Sequence, residues 1–291
     1  MSKALPICYL NGQFLPLADA RVSPLDRAFL FGDAVYEVVP VYGARPFRLS
    51  QHLDRLDRSL AGIRMAPPLS HAGWWVVCKE LIARNAGEQA YLYVQVTRGV
   101  ENGRSHAWPE GLEPTVFAYA TALEPAPPSL FEQGVAAITA IDTRWARRDI
   151  KSTALLANVL LKKLSADAGA FETIMIERGE LTEGSSTTVH AITDGIIRTP
   201  ENGHHILPGA TRDVVTELAD RLDIRTESAR ISEAQLRAAD EIWLAFATRG
   251  VLPVTALDGV PVGTGKAGPI FKRMHTAFTD YIREISTVPA L

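Results

Sequence analysis

Read by its apolar and polar positions, the chain opens with strands. The segment ICYLNGQFLPL at 7–17 is apolar on both sides of Asn11-Gly12, a pair that tolerates the positive φ angles of a two-residue hairpin turn. VYEVVPVYGARPFRL at 35–49 is β-rich and broken by Gly43. The period then becomes helical, with Leu53, Leu56 and Leu60 on one face of a helix predicted over 49–65 and Ser50 as its N-cap. A second helix is predicted over 71–85. It is followed by the strand AYLYVQVTRG at 90–99, a loop rich in Gly, Asn and Pro at 99–113, and the strand TVFAYAT at 115–121.

The run EPAPPS at 124–129 is the strongest break in the pattern, stiff and extended as a linker would be. Beyond it come the strand VAAITAI at 135–141, a helix predicted over 153–168, and the strands FETIMIE and TTVHAI. A helix opens at Pro208-Gly209-Ala210-Thr211, then come the strand EIWLAFA and a last amphipathic helix over 266–286. Strands alternate with helices in both halves, but not in the cadence of a doubly wound sheet. The expected fold is α/β of the mixed-sheet α+β type, in two domains at 1–122 and 131–291 joined by a linker at 123–130.

Composition narrows function by exclusion. The 291 residues are 47% apolar and 22% charged, which suits a packed core and argues against disorder. A net charge of -3 gives no basic field to attract nucleic acid or anionic lipid. The best apolar run, WWVVC at 74–78, is far too short to cross a bilayer, and MSKALPICYLNG has no apolar core of signal-peptide length. Cys8 and Cys78 make neither a disulfide framework nor a metal quartet. A soluble, cytoplasmic protein is expected, with no metal, nucleic-acid or membrane partner.

Four polar segments could carry chemistry, and each has a plainer alternative. In RWARRDIKS at 144–152, Lys151 follows Arg144, Arg147 and Arg148. Neighbouring cations lower a lysine's pKa and so free its amine as a nucleophile; a solvated basic stretch is the alternative. LTEGSSTTVHAI at 181–192 sets Glu183 among hydroxyls, either as an acceptor at the mouth of an anion site or in an exposed polar turn. HHILPGATRDVV at 204–215 opens a helix whose N–H groups suit a phosphate, or is ordinary capping. In HLDRL at 52–56, Arg55 could hold a phosphate bidentately or pair with nearby Asp54 or Asp57.

In combination these pieces are far more specific. The opening NGQF, then DRAFLFGDAVYEVVPVYGARPFRLSQHLDRL, DIKS, LTEGSSTT and ILPGATR, in this order and spacing, resemble the class IV aminotransferases through essentially the whole chain. These are fold-type IV pyridoxal 5′-phosphate enzymes. The resemblance implies a small N-terminal and a larger C-terminal domain, the latter carrying the Schiff-base lysine, with the cofactor held between them, and a homodimer. It implies that Lys151 carries the cofactor as a Schiff base and that Glu183 meets the pyridine nitrogen. Arg55 and the backbone N–H groups of Ala210 and Thr211 would bind the phosphate. Leu207 would support the ring, and Ser185 and Ser186 would line its surroundings. The residue types suit the chemistry, since a carbanion at Cα needs an electron sink and the lysine amine can move the proton.

The loop VTRGVENGRSHAWPE at 96–110 bears on the substrate. Its Arg104-x-His106 pair resembles the D-amino-acid transaminase signature and implies a trap for the substrate α-carboxylate, aided by Tyr36. An arginine fork and a second donor suit a carboxylate. The expected reaction moves the amino group of a D-amino acid to a 2-oxo acid, 2-oxoglutarate or pyruvate. One departure stands out in AFATRGVLPV at 245–254, where Ala247 occupies the place of an expected phosphate-binding threonine and Thr248 could take over. Arg249 beside it could favour a second carboxylate, as in D-glutamate, or be an exposed turn residue. On the same fold the alternatives are a branched-chain L-amino-acid transaminase, an (R)-amine transaminase and an aminodeoxychorismate-type lyase. A cofactor-binding protein with a degenerate site is a further alternative, against which the pairing of Lys151 with Glu183 argues.

Overall fold

Asn11 and Gly12 adopt φ angles of 45° and 91°, so the chain turns back tightly and β1 (Ala4–Leu10) pairs antiparallel with β2 (Gln13–Pro16). The computed structural model, which describes residues 3–287, uses the same device at Gly43-Ala44, with φ angles of 56° and 60°. There β3 (Ala34–Tyr42) folds back on the two-residue β4 (Arg45–Pro46), preceded by the short helix α1 (Arg27–Phe31). The strands β5 (Gln89–Thr97) and β6 (Thr115–Ala122) complete a six-stranded antiparallel sheet in the order β2-β1-β6-β5-β3-β4.

Two helices cover this sheet, α2 (Leu49–Gly62) and α3 (His71–Asn85). Leu53, Leu56 and Leu60 from α2 meet Trp74, Cys78 and Leu81 from α3 over Val39, Leu92 and Val94 of the strands. Each leucine so buried contributes roughly 1.5–3 kcal/mol relative to an exposed one. Ser70 caps α3 by accepting from the Gly73 N–H. Ser50 does not cap α2. The chain leaves β4 through Arg48, in a left-handed conformation with φ of 51°, and this starts the helix at Leu49 with no side-chain cap.

The second sheet follows α4 (Ser129–Gln133). Its elements are β7 (Val135–Ile141), α5 (Leu156–Asp167), β8 (Glu172–Glu177), β9 (Glu180–Gly184), β10 (Thr188–Thr193) and β11 (Ile196–Thr199). Then come α6 (Ala210–Arg221), β12 (Thr226–Ser228), α7 (Glu233–Arg237), β13 (Glu241–Phe246), β14 (Gly250–Leu257), β15 (Val260–Pro261) and α8 (Pro269–Thr287). The strand order is β12-β11-β10-β13-β14-β7-β8-β9, with β15 on β14. β14, β7 and β8 run parallel, as do β11 and β12, while the other pairs are antiparallel, so the sheet is mixed. Ile174, Val189, Leu236, Ile242, Leu244 and Leu252 fill its core.

The chain divides into two compact units. One comprises the described residues up to Glu124, the segment Ile150–Ala154 and residues 284–287; the other comprises Pro125–Asp149 and Leu155–Arg283. This corrects one expectation, which put the Lys151 segment in the larger C-terminal domain. Backbone pairing decides the matter: the Tyr36 N–H donates to the Lys151 carbonyl at 3.0 Å and the Thr153 N–H to the Ala34 carbonyl at 3.0 Å, so the segment lies along β3. Among the described residues no helix is long and apolar enough to cross a membrane, and no cluster of His, Cys, Asp or Glu could hold a metal.

Candidate active site

Within the first unit, Lys151 is fixed at its base by two backbone hydrogen bonds. Its N–H donates to Ser59 Oγ at 3.1 Å and its carbonyl accepts from Tyr36. Its Nζ stands 4.3 Å from the centre of the Tyr36 ring, a cation–π contact, and Tyr36 in turn stacks on Tyr93. Sheet geometry therefore aims the amine.

Successive strand residues face opposite ways, so the next one along β3, Glu37, turns to the helical side. It is 1% exposed there and chelated by Arg55, with Nε to Oε1 at 2.6 Å and Nη2 to Oε2 at 2.8 Å. His52 Nδ1 lies 2.8 Å from the same Oε2. Burial opposes the charge on Glu37, but Arg55 and then His52 outweigh it and hold the carboxyl well below its ordinary value. Burial lowers His52, with Glu37 pulling the other way. Arg55 is thus partnered by an acid on β3 rather than by Asp54 or Asp57; Asp57 pairs with His71.

Arg104 and His106 lie in the exposed loop between β5 and β6, gathered on one aromatic ring. The Arg104 guanidinium is 4.8 Å from the centre of Phe31, and the His106 ring is 5.4 Å from it.

Within the second unit, Glu183 sits near the end of β9, buried instead of in an exposed turn. Arg144 Nη1 donates to its Oε1, and the Leu207 N–H donates to its Oε2 at 3.2 Å. Burial raises the Glu183 carboxyl above its ordinary value, with Arg144 and the Leu207 N–H working in opposition. Arg144 is itself held by Asp142 at 2.7 Å, Arg147 pairs with Asp149 and Arg148 with Glu177. Carboxylates therefore partner the basic run, so Arg144, Arg147 and Arg148 are not the bare cations that the sequence suggested.

The hydroxyls after Glu183 divide. Ser185 and Ser186 both donate their hydroxyls to the buried Glu172. Thr187 Oγ1, which the sequence did not single out, is buried without a partner. Gly209 precedes α6 without a side-chain cap, and a Cβ there would come within 2.6 Å of Thr188 Oγ1. Ala210 and the buried Thr211 stand at the first turn of α6, a position whose N–H groups have no partner within the helix. Thr248 is half-buried in the turn joining β13 to β14, and Arg249 is exposed in the same turn, its N–H 3.4 Å from the Phe246 carbonyl.

The roles of Glu37, Arg144 and Asp142 escaped the sequence reading. A single acid in the apolar alternation of VYEVVPV, and an Asp two residues before an Arg, were the available signals.

Residues 34–257 match the family described as amino-transferase class IV. The chain is a member of that family. This aminotransferase is 38% identical over 272 residues to a D-alanine aminotransferase of Bacillus licheniformis, a match covering 94% of this chain and 95% of that protein. It is 38% identical over 280 residues to a D-alanine aminotransferase of Staphylococcus aureus (strain MSSA476), covering 96% and 98%. Among solved structures it resembles the branched-chain amino acid aminotransferase of Escherichia coli, with a TM-score of 0.87, 26% identity, and 96% and 94% of the two chains covered. A T.th. branched-chain amino acid aminotransferase solved with pyridoxamine 5′-phosphate gives a TM-score of 0.88 at 26% identity, covering 96% and 94%. The architecture of this aminotransferase is accordingly fold-type IV.

Class IV aminotransferases work with pyridoxal 5′-phosphate, and the donors here fit it. An amine on a sheet-bound segment, a buried carboxylate, an uncapped helix start and an unpartnered buried hydroxyl are groups of the kind such a cofactor needs.

Proposed function

We propose that this aminotransferase moves the amino group of a D-amino acid, D-alanine foremost, to 2-oxoglutarate or pyruvate. The observation that carries the reading is the Arg104-Ser105-His106 loop seated on Phe31, in a chain 38% identical to a D-alanine aminotransferase over nearly its whole length.

In this reading Lys151 would hold pyridoxal 5′-phosphate through its amine, Glu183 would face the pyridine nitrogen, and Leu207 would support the ring. Arg55 with the Ala210 and Thr211 N–H groups would hold the phosphate, and Thr187 and Thr248 are the hydroxyls best able to add to it. When bound, the cofactor supplies an electron sink for the charge left at Cα. The Lys151 amine takes the proton from Cα, as a general base placed over the Tyr36 ring. Glu183, supported by Arg144, keeps a proton at the ring nitrogen. Arg104, His106 and the Tyr36 hydroxyl bind the α-carboxylate, which sets which face of Cα meets the amine. Arg249 is proposed to meet a second carboxylate where the substrate has one; an unchanged preference between D-alanine and D-glutamate in Arg249→Ala would remove it.

We further propose that it works as a cytoplasmic homodimer. Leu156, Val159, Leu160 and Leu164 leave an apolar stripe of α5 uncovered in the single chain, and Cys8 and Cys78 are free and buried.

The branched-chain reading has its own support in the solved structures it resembles. Steady-state kinetics separate the two. Arg104→Ala is expected to raise KM for D-alanine roughly tenfold to a hundredfold, the worth of a charged hydrogen bond to a carboxylate. Turnover of L-leucine that ignores Arg104→Ala would move the assignment to the branched-chain group.

A further inference from the structure

Arg27 has no place in the chemistry above, yet its buried guanidinium is among the most heavily bonded groups of the first unit. It is 3% exposed. Nε donates to Asp33 Oδ2 at 2.8 Å, and Nη1 donates to the Glu101 carboxylate and to the Ser105 carbonyl at 2.7 Å. Nη2 lies 3.4 Å from the His106 carbonyl. The plane of the group also packs 4.7 Å from the centre of Phe31, the ring on which Arg104 and His106 gather.

The mount beneath it is rigid. Asp26, 1% exposed, caps α1 through the Ala28 N–H at 2.8 Å and accepts the hydroxyls of Thr97 and Thr115 at 2.9 and 2.7 Å. The short helix is thereby tied to β5 and β6, the strands at the two ends of the loop. Arg98 forks onto Asp33 and lies 4.0 Å from the centre of the Trp108 ring, further along the same loop. Two arginines thus oppose two acids, and both arginines also touch the loop. Burial works against the charge on Asp33, but Arg98 and Arg27 hold its carboxyl below its ordinary value, so the cluster stays charged.

We infer that Arg27, backed by Phe31, is a positioning residue that holds the 99–113 loop so that Arg104 and His106 meet the substrate carboxylate in a fixed place. The inference rests on the carboxylate-trap reading above. A polar loop of this length without secondary structure samples many conformations, and a carboxylate clamp that must first be ordered binds more weakly. The planar, five-donor guanidinium reaches two successive carbonyls and two carboxylates at once. A lysine is a single point charge and cannot.

Kinetics of the holoenzyme with D-alanine test this. Arg27→Lys is expected to raise KM roughly tenfold while kcat stays within about threefold and the affinity for pyridoxal 5′-phosphate is unchanged. In the double variant Arg27→Lys/Arg104→Ala, KM is expected to be no higher than in Arg104→Ala alone, since a positioning residue has nothing left to position. Phe31→Leu should give the same pattern and carries the test should Arg27→Lys not fold. Additive rises in KM in the double variant, or a fall in kcat with KM unchanged, would overturn the inference and leave the trap reading standing. If Arg104→Ala itself leaves KM for D-alanine unchanged, the trap reading fails and this inference falls with it.

Discussion

Lys151 Nζ lies 4.3 Å from the centre of the Tyr36 ring, and the backbones of the two residues are joined by the hydrogen bond from the Tyr36 N–H to the Lys151 carbonyl. One strand pairing therefore fixes both the amine and the surface beneath it. Replacing Lys151 by Ala removes the only group here assigned to move the Cα proton. Transamination is expected to fall by roughly 10²–10⁴-fold or more, with stability changed by no more than about 1 kcal/mol. Rate assays and thermal unfolding check both halves of this expectation.

Glu37 should govern stability in acid. Its carboxyl is held in the fold below the ordinary 4.5, because Arg55 and His52 overcome the burial that opposes its charge. The unfolded chain takes up a proton near 4.5 that the folded chain refuses, so this stabilisation is present above 4.5 and is lost as pH falls toward the depressed folded value. Glu37→Gln should lose up to about 3–5 kcal/mol at neutral pH, because the buried negative charge that Arg55 and His52 share is removed, and should show a flatter decline in acid. Urea unfolding at a series of pH values measures both.

His190 adds a second, milder window. It is 1% exposed, and burial, with Arg212 next, pushes it down to about 3. Below its ordinary 6.5 the unfolded chain binds a proton that the folded imidazole does not, so stability should decline as pH falls from 6.5 toward 3. The slope approaches about 1.4 kcal/mol per pH unit for one proton. His190→Leu should flatten the decline between 6.5 and 4.5, leaving the share that other lowered histidines such as His52 contribute there.

Gly209 is expected to be a steric requirement of the phosphate cradle. Its φ is -80°, open to any residue, but a Cβ would come 2.6 Å from Thr188 Oγ1. Gly209→Ala should displace that hydroxyl or the first turn of α6. Affinity for pyridoxal 5′-phosphate should drop roughly tenfold while that for pyridoxal, which lacks the phosphate, holds, a comparison that equilibrium titration makes directly.

Elements with a strong period were legible in the sequence. The Asn11-Gly12 hairpin and the helix beginning at 71 stand where the pattern put them, because each is set by local chemistry. Short pieces such as β11, β12 and α7 left no period to read. Ser50 misled because the start of α2 is decided by the backbone at Arg48, a feature of the preceding hairpin. The Lys151 segment was assigned by its neighbours in sequence, whereas its pairing partner, β3, lies over a hundred residues earlier. For the same reason the partners of Arg55 and Glu183 were missed: Glu37 and Arg144 reach them through the fold and not along one helix face. Lys151 and Glu183 could be named as candidates from the sequence, but the groups that hold them are long-range and became visible only in three dimensions.

A half-reaction tests transamination of D-amino acids through Lys151 without intermediaries. The purified protein loaded with pyridoxal 5′-phosphate is mixed with D-alanine, then separately with L-leucine, while the visible absorbance of the bound cofactor is followed. D-alanine should discharge the band and form pyruvate, and L-leucine should leave it in place. A band discharged by L-leucine and indifferent to D-alanine would contradict a D-specific aminotransferase.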